Sequence, residues 1–163
     1  MENEKRLHRC CFTGHRPEKL NISEKEIKKR LQEAIQDAVQ SGFTTFISGM
    51  ARGIDMWAAE IVTEERKKNP SIKLICTPPF EGFENSWSFL DKLQYHKILK
   101  KADYTRFICE RYSRNCFQIR NCYMVDRSSL VIAAYNGTPG GTRNTIKYAD
   151  CKGVKVINVL SIK

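Results

Sequence analysis

Apolar residues occur along this chain in two kinds of segment, short continuous runs and longer stretches where they recur every three or four residues. Short runs are typical of buried strands, whereas the longer spacing is typical of helices that bury one side. The short runs predict six strands, at residues 9–13, 43–48, 72–77, 104–109, 130–135 and 154–159. The longer stretches predict five helices between them, at residues 23–42, 54–68, 87–101, 117–126 and 142–152.

Residues that favour helix ends support these boundaries. Ser23 followed by Glu26 has the capping-box spacing of a helix start, and Gly42 occupies the usual position after a helix end. Because strands and helices alternate, the strands are expected to pair in parallel, with helices on both faces of the sheet. The predicted fold is therefore α/β, a single domain over residues 1–163 with a mostly parallel sheet of about six strands.

Composition places the chain among globular proteins. Of its 163 residues, 41% are hydrophobic and 10% aromatic, which is too apolar for a disordered protein. No apolar run approaches the roughly 20 residues of a membrane helix, and no apolar region follows the charged start at 1–6, so we expect neither a membrane partner nor a signal peptide. Seven cysteines without a C-x-x-C pair indicate free thiols in the cytoplasm and no metal site.

Positive charge is concentrated in the second part of the chain. Residues 1–91 hold 14 basic and 14 acidic residues, whereas residues 92–163 hold 14 basic and 4 acidic residues and so account for the net charge of +10. A one-sided basic distribution suggests an anionic partner, such as a nucleotide, a nucleic acid or an acidic protein. A solvated basic surface that aids solubility is the alternative.

Glycine-rich segments follow several predicted strands, and in a parallel sheet ligands bind beyond the carboxyl ends of the strands. The segment 48–55 (SGMARGID) places two glycines and Arg52 before a helix, whose free N–H groups favour a phosphate. The segment 136–142 (NGTPGGT) opens the last helix in the same way, with Thr142 as the expected N-cap. Either segment is alternatively a tight turn that binds no ligand.

Other residues near these ends have two interpretations each. His15, in the segment 14–17 (GHRP), is predicted either to contact a ligand or to order its loop. Arg120 is expected to face an anion, and Asp126 either to bind a sugar hydroxyl or to end a helix. Phe80 is a candidate for stacking on a base, although an aromatic residue so near a helix is more often part of the core.

These motifs together resemble the SLOG superfamily of Rossmann-like domains. The element 48–55 resembles that of DprA proteins, with Ala59 at a position where DprA usually has His, and Pro139–Thr142 resembles the glycine loop of LOG phosphoribohydrolases in shortened form. The YpsA/YoqJ-like branch matches further, over 11–17, 120–126 and 140–142. The resemblance implies ligand binding by Gly14, His15, Arg16, Ser48, Gly49, Met50, Ala51, Arg52, Gly53, Asp55, Phe80, Arg120, Asn121, Asp126, Asn136, Gly140, Gly141 and Thr142.

The resemblance implies a pocket for a nucleotide or a nucleotide-derived small molecule, such as an ADP-ribose derivative, in a sensor or sequestering protein of a cell or a phage. LOG enzymes carry a Glu three residues beyond their Gly-Thr pair, and here no acid follows Thr142 before Asp150. Hydrolysis of a nucleoside monophosphate is therefore an alternative without an assigned catalytic residue, in which Asp126, Glu81 or Glu84 would have to replace the missing acid. Single-stranded DNA binding, as in DprA, is a third possibility. No cofactor is expected, and a homodimer is implied by resemblance alone.

Overall fold

The computed structural model describes residues 2–161, and strands alternate with helices through most of that range. The strands are β1 (Arg9–Gly14), β2 (Thr45–Ser48), β3 (Lys73–Cys76), β4 (Tyr104–Thr105), β5 (Leu130–Ala134) and β6 (Lys155–Asn158). The helices are α1 (Glu2–Arg6), α2 (Glu24–Gln40), α3 (Ile54–Lys68), α4 (Phe89–Lys101), α5 (Cys116–Asp126) and α6 (Gly141–Cys151), with a 3₁₀ turn at Pro17–Lys19. The predicted domain span 1–163 also includes Met1, Ile162 and Lys163, which lie outside the described residues.

All six strands form one parallel sheet in the order β4-β3-β2-β1-β5-β6, so the predicted α/β fold is confirmed. The chain moves from β1 outward to β4 and then returns to the other side of β1 to form β5 and β6. Because crossovers are right-handed, α2, α3 and α4 cover one face and α5 and α6 the other, in agreement with their mutual packing.

Two hydrophobic cores lie on the two faces of the sheet, and β1 contributes to both. Cys10 and Phe12 point into the larger core beneath α2, α3 and α4, whereas Cys11 points into the smaller core beneath α5 and α6. This alternation follows from the two-residue period of a strand. The early part of α3 is deeply buried, as its apolar pattern predicts, and no helix within residues 2–161 is long and apolar enough to cross a membrane.

Strand β4 is much shorter than the predicted strand 104–109, and the reason lies in its neighbour. Beyond Cys76, β3 continues into Pro78 and Pro79, which have no N–H to donate. The amides of Ile108 and Cys109 donate to the carbonyls of these two prolines, at 3.1 and 2.8 Å, and an isolated parallel bridge joins Phe80 to Cys109. The segment 106–109 therefore runs beside β3 without forming a regular ladder.

Several helix boundaries also differ from the prediction. Helix α4 begins at Phe89 instead of residue 87, because Ser88 caps it by accepting a hydrogen bond from the Asp91 amide. Helix α6 begins at Gly141, so Thr142 lies buried inside its first turn and is not the N-cap. The short helix α1 and the 3₁₀ turn have no buried residues, so no apolar pattern predicted them.

The Ser88 cap predicts a measurable loss of stability on truncation. Ser88→Ala is expected to lower the free energy of unfolding by about 1 kcal/mol, because one amide in the first turn of α4 loses its partner. Urea denaturation followed by circular dichroism measures the change. Ser86→Ala, two residues earlier and outside the cap, is the control and should leave the midpoint unchanged; equal midpoints for both variants would contradict the assigned cap.

Candidate functional site

The candidate site lies where the strand order reverses, between the carboxyl ends of β1 and β5. Gly14 pairs with Ala134 at the last position of both strands, and the amide of His15 continues the pairing to the carbonyl of Ala134 at 3.0 Å. From this point β1 leads toward β2 and β5 leads toward β6, so their following loops diverge. Such a divergence leaves a crevice, which is where open parallel sheets bind ligands.

His15 forms part of the wall of this crevice. Its ring is buried and packs against that of Tyr135, with 5.3 Å between ring centres. Its Nε2 lies 3.4 Å from the hydroxyl of Thr138. Burial, and secondarily the positive charge of Lys19, lower the pKa of His15, so the ring is neutral at pH 7 and interacts through hydrogen bonds instead of charge.

The loop after β5 is organised by Asn136. Its Oδ1 accepts from the amide and the hydroxyl of Thr138, at 3.1 and 2.7 Å, and its Nδ2 donates to the carbonyl of Lys19 at 2.9 Å. An Asn side chain that hydrogen-bonds to the backbone two residues ahead forms an Asx turn, which commonly fixes the conformation of a loop. Asn136 thereby ties the loop after β5 to the 3₁₀ turn after β1.

The glycines that open α6 have free space above them. Gly140 has φ 146°, which only glycine adopts without strain. No described atom lies within 4 Å of a Cβ built on Gly140 or Gly141, so neither is required by internal packing. A side chain at either position would therefore extend into open space, and the first turn of α6 contains no acidic residue.

The loop after β2 is held by an internal network. The hydroxyl of Ser48 donates to the carbonyl of Asp55 at 2.8 Å and accepts from the amide of Met50 at 3.2 Å. A carboxylate oxygen of Asp55 accepts from the amide of Ala51 at 3.3 Å. Met50 adopts φ 63° with its side chain fully buried. Ser48, Met50 and Asp55, all predicted ligand contacts, therefore have structural roles inside the loop.

Internal packing also explains three of the predicted site glycines. A Cβ on Gly14 would lie 2.5 Å from the Ile54 side chain, and one on Gly53 would lie 2.6 Å from the ring of Pro17. A Cβ on Gly49 would lie 2.6 Å from the guanidinium of Arg120. These glycines allow neighbouring parts of the protein, and not a ligand, to approach the backbone.

Arg120 supports the loop after β2 from inside the protein. Its side chain is buried, its Nη1 donates to the carbonyl of Gly49, and its Nε donates to Oδ1 of Asn121 at 2.8 Å. Burial raises the pKa of Asp55, and the charge of Arg120 partly offsets that effect. Burial likewise lowers the pKa of Arg120. Arg120 therefore does not face a solvent-borne anion as predicted, and Asn121 serves to orient it.

Among the predicted site residues, Arg16 and Arg52 are the exposed cations. Arg16 directly follows His15 and is exposed. The half-exposed Arg52 lies over the ring of Trp87, 5.1 Å from its centre, and 4.0 Å from the carboxylate of Asp91. Both side chains lie at the carboxyl edge of the sheet, where a phosphate bound above the glycines would be attracted.

Two predicted residues lie apart from the crevice. Phe80 packs edge-on against Phe83 and Tyr112 beyond the end of β3, two strands from β1. Asp126 ends α5, whose carboxyl end lies at the opposite edge of the sheet, and accepts a hydrogen bond from the Tyr148 hydroxyl at 2.7 Å. Within residues 2–161 no group of three or more His, Cys, Asp or Glu side chains is arranged to hold a metal.

Tyr135 and Thr138 belong to the site, although the sequence motifs did not identify them. The apolar pattern places Tyr135 at the end of the fifth strand, and it gives Thr138 no role within its loop. Their positions directly after an apolar run, on the same edge as His15, were the available signal.

Comparisons with known proteins bear on this site. A family model described as the YspA SLOG family matches residues 10–155. A UPF0398 protein of Bacillus cereus strain B4264 is 29% identical over 152 residues, which cover 88% of this chain and 83% of that protein. A UPF0398 protein of Bacillus thuringiensis strain Al Hakam has the same identity and coverage.

Two solved structures share the fold. DNA processing protein A (DprA) from Streptococcus pneumoniae superposes with a TM-score of 0.62 at 20% identity, over 92% of this chain and 49% of that one. DprA from Helicobacter pylori, studied for its single-stranded DNA binding mode, has a TM-score of 0.62 at 16% identity, over 95% and 66%. The chain thus spans about half of the first protein and two thirds of the second.

Removing Arg120 is expected to destabilise the protein in a pH-dependent way. Arg120→Leu leaves the carbonyl of Gly49 without its donor, at a cost of about 1–3 kcal/mol, and removes a positive charge that favours the ionised form of Asp55. The folded-state pKa of Asp55 then lies further above its unfolded value. The stabilisation that the protonated form of Asp55 provides is complete below about pH 3.9, the ordinary pKa of Asp. It is lost as the pH rises through the pKa of Asp55 in the folded protein.

Chemical denaturation at pH 4, 5, 6 and 7 measures this effect. The control is the double variant Arg120→Leu with Asp55→Asn, which has no carboxylate to titrate. It should lose less stability at pH 7, and its stability should change less with pH than that of the single variant. A single variant whose loss is the same at every pH would contradict the coupling of Arg120 to Asp55.

Proposed function

This chain belongs to the YspA SLOG family, as its motifs predicted, and from that premise we propose that it binds a nucleotide or nucleotide-derived ligand in the crevice between β1 and β5. The ligand class is a nucleoside phosphate or an ADP-ribose derivative. The protein senses or sequesters this ligand and does not convert it to a product.

The observation that carries this proposal is the uncovered turn at Gly140 and Gly141. These glycines start α6 at the point where the strand order reverses, and no described atom packs above them. Backbone N–H groups and the positive end of the helix dipole favour a phosphate at such a turn. Arg16 and Lys19 lie on the adjacent loop after β1 and add positive charge.

The distribution of carboxylates supports binding without hydrolysis. Cleavage of an N-glycosidic bond requires a carboxylate near the sugar. The first turn of α6 contains no acid, Asp55 is occupied inside its loop, and Asp126 lies at the far edge of the sheet. Glu81 and Glu84 follow β3, two strands from β1, which leaves the exposed Glu18 as the carboxylate on the loop after β1. Self-association and a cytoplasmic location are further parts of the proposal, which light scattering and cell fractionation test.

Binding of single-stranded nucleic acid is a second candidate. DprA from Helicobacter pylori, which shares the fold, has a single-stranded DNA binding mode, and the segment 92–163 of this chain is strongly basic. This candidate requires an affinity for oligonucleotides that falls steeply with salt. A ligand confined to the glycine turn would depend on salt much less.

One incubation separates these functions. The purified protein is mixed with nucleoside monophosphates, NAD, ADP-ribose, cyclic ADP-ribose and a short oligonucleotide, unbound material is removed, and bound molecules are released by heat and identified by mass spectrometry. An intact nucleotide supports the proposal. Free base with ribose phosphate establishes hydrolysis instead, and retention of the oligonucleotide alone establishes nucleic-acid binding.

Gly141 offers a clean test of the turn. Gly141→Val is expected to weaken binding of the recovered nucleotide at least tenfold, because the new side chain covers the free N–H groups. The fold should be unaffected, since the space above Gly141 is open and its φ is not in the left-handed region. Titration calorimetry and thermal unfolding measure both effects. Cys151→Val, exposed at the other end of α6, is the control.

Arg52 tests how far the site extends toward β2. Arg52→Ala is expected to weaken nucleotide binding by about 1.5–3 kcal/mol, the value of a charge-assisted hydrogen bond. Lys68→Ala removes the same charge at the far end of α3 and should change nothing. If Gly141→Val weakens binding and Arg52→Ala does not, the phosphate lies at α6 alone; if neither does, the ligand lies at another edge.

A further inference from the structure

A cavity lies next to the crevice, beyond the carboxyl ends of β5 and β6. Its volume is about 460 Å³, within the usual range of small-molecule sites. Leu20 and Ile22 line one side, Leu160 lies on another, and Tyr135, Asn136 and Gly137 form the wall shared with the crevice. Apart from Asn136, no candidate residue of the sequence motifs lies in this lining.

The walls of the cavity are held in place by asparagine side chains. Asn158 donates through Nδ2 to the carbonyl of Tyr135 at 2.8 Å, and its Oδ1 accepts from the amides of Tyr135 and Leu160 at 3.1 and 3.2 Å. Asn136 closes the other side by its bond to the carbonyl of Lys19. The cavity is therefore a built feature, since each wall is fixed by a side chain that spans two loops.

The lining favours a flat, uncharged group. It includes three aliphatic side chains and the ring of Tyr135, and no acidic or basic side chain. The neutral polar groups present are amides and a hydroxyl, from Asn21, Asn136, Asn158 and Ser161. Nucleobases combine a flat aromatic face with hydrogen-bonding edges, and such a ring stacks on tyrosine and bonds to amides.

The cavity also lies within reach of the turn at α6. Gly137 lines the cavity and Gly141 begins the helix. Four residues of chain separate their Cα atoms by at most about 14 Å. A single nucleotide therefore has room to place its base in the cavity and its phosphate at the turn.

Among the aromatic residues beyond the end of β3, Trp87 has little open surface. The ring of Trp87 is only 8% exposed and is packed by Arg52, Phe83 and Tyr95. A base inserted there would have to displace these contacts. The ring of Tyr135, in contrast, packs against the ring of His15 and borders an open cavity.

We infer that the cavity beside Tyr135 holds the nucleobase of the bound nucleotide, while the turn at Gly140 and Gly141 holds its phosphate. This inference rests on the proposed function. It adds where the part of the ligand other than its phosphate binds, and it assigns that part to the class of neutral heteroaromatic rings. It assigns specificity for the base to the wall formed by Tyr135 and the neighbouring amides.

Cavity-filling and ring-deletion variants test the inference. Ile22→Trp fills the cavity and Tyr135→Ala removes the stacking surface, whereas Tyr135→Phe retains it. Leu93→Trp, on an exposed position of α4, is the control for added bulk. The probes are AMP, GMP, CMP and UMP, of which the tightest is carried forward, and inorganic pyrophosphate, which has no base. Titration calorimetry measures each affinity.

Ile22→Trp and Tyr135→Ala are expected to weaken nucleotide binding at least tenfold and to leave pyrophosphate within twofold of the wild type. Tyr135→Phe and Leu93→Trp should bind both probes normally. Unchanged nucleotide affinity in the first two variants, or an equal loss of both probes, overturns the inference and leaves the proposed function intact. Failure of the wild type to bind any of these probes, and also NAD, ADP-ribose and cyclic ADP-ribose, overturns both.

Discussion

The parallel pairing of β1 with β5 is the constraint on which the remainder of the fold depends. It joins two strands that are far apart in sequence, with Gly14 opposite Ala134 at their ends. Because the chain leaves this pair in opposite directions, α2–α4 cover one face and α5–α6 the other. The same reversal opens the crevice, so the position of the candidate site is a consequence of topology and requires no special loop.

Beside this pair, the buried contact of Arg120 with the loop after β2 shows how an expensive interaction specifies a conformation. A buried guanidinium and a buried carboxylate together cost desolvation energy that their attraction does not always recover. Here Arg120 also satisfies the Gly49 carbonyl, and Asp55 satisfies the Ala51 amide. These two separate bonds hold a loop containing Met50 at φ 63°, a conformation that is unfavourable for a residue with a side chain.

The elements of the fold were predictable because each leaves a local pattern, such as the apolar face of α2 with Ser23 as its cap. The roles of the glycines were not, because they depend on contacts between distant segments. Gly49 and Gly53 have the spacing predicted for a phosphate loop, and Gly14 was a predicted ligand contact. Arg120, Pro17 and Ile54, respectively, occupy the space that a Cβ at these glycines would need. The length of β4 was unpredictable for the same reason, since it depends on the prolines of the neighbouring strand.

The contrast between the two glycine segments distinguishes a packing requirement from a binding surface. Glycine at 49 is explained by the atom that would collide with a Cβ, whereas Gly141 has neither a collision nor a left-handed φ to explain it. Because no contact inside the protein requires glycine at position 141, this glycine is available for contact with a ligand. Arg16, Lys19 and Arg52 lie near this edge but come from the charge-balanced segment 1–91. Basic residues of the segment 92–163 also lie at this edge, since Arg111 and Arg114 follow β4 and Arg143 lies in the first turn of α6. Both parts of the chain therefore contribute positive charge where an anionic ligand would bind.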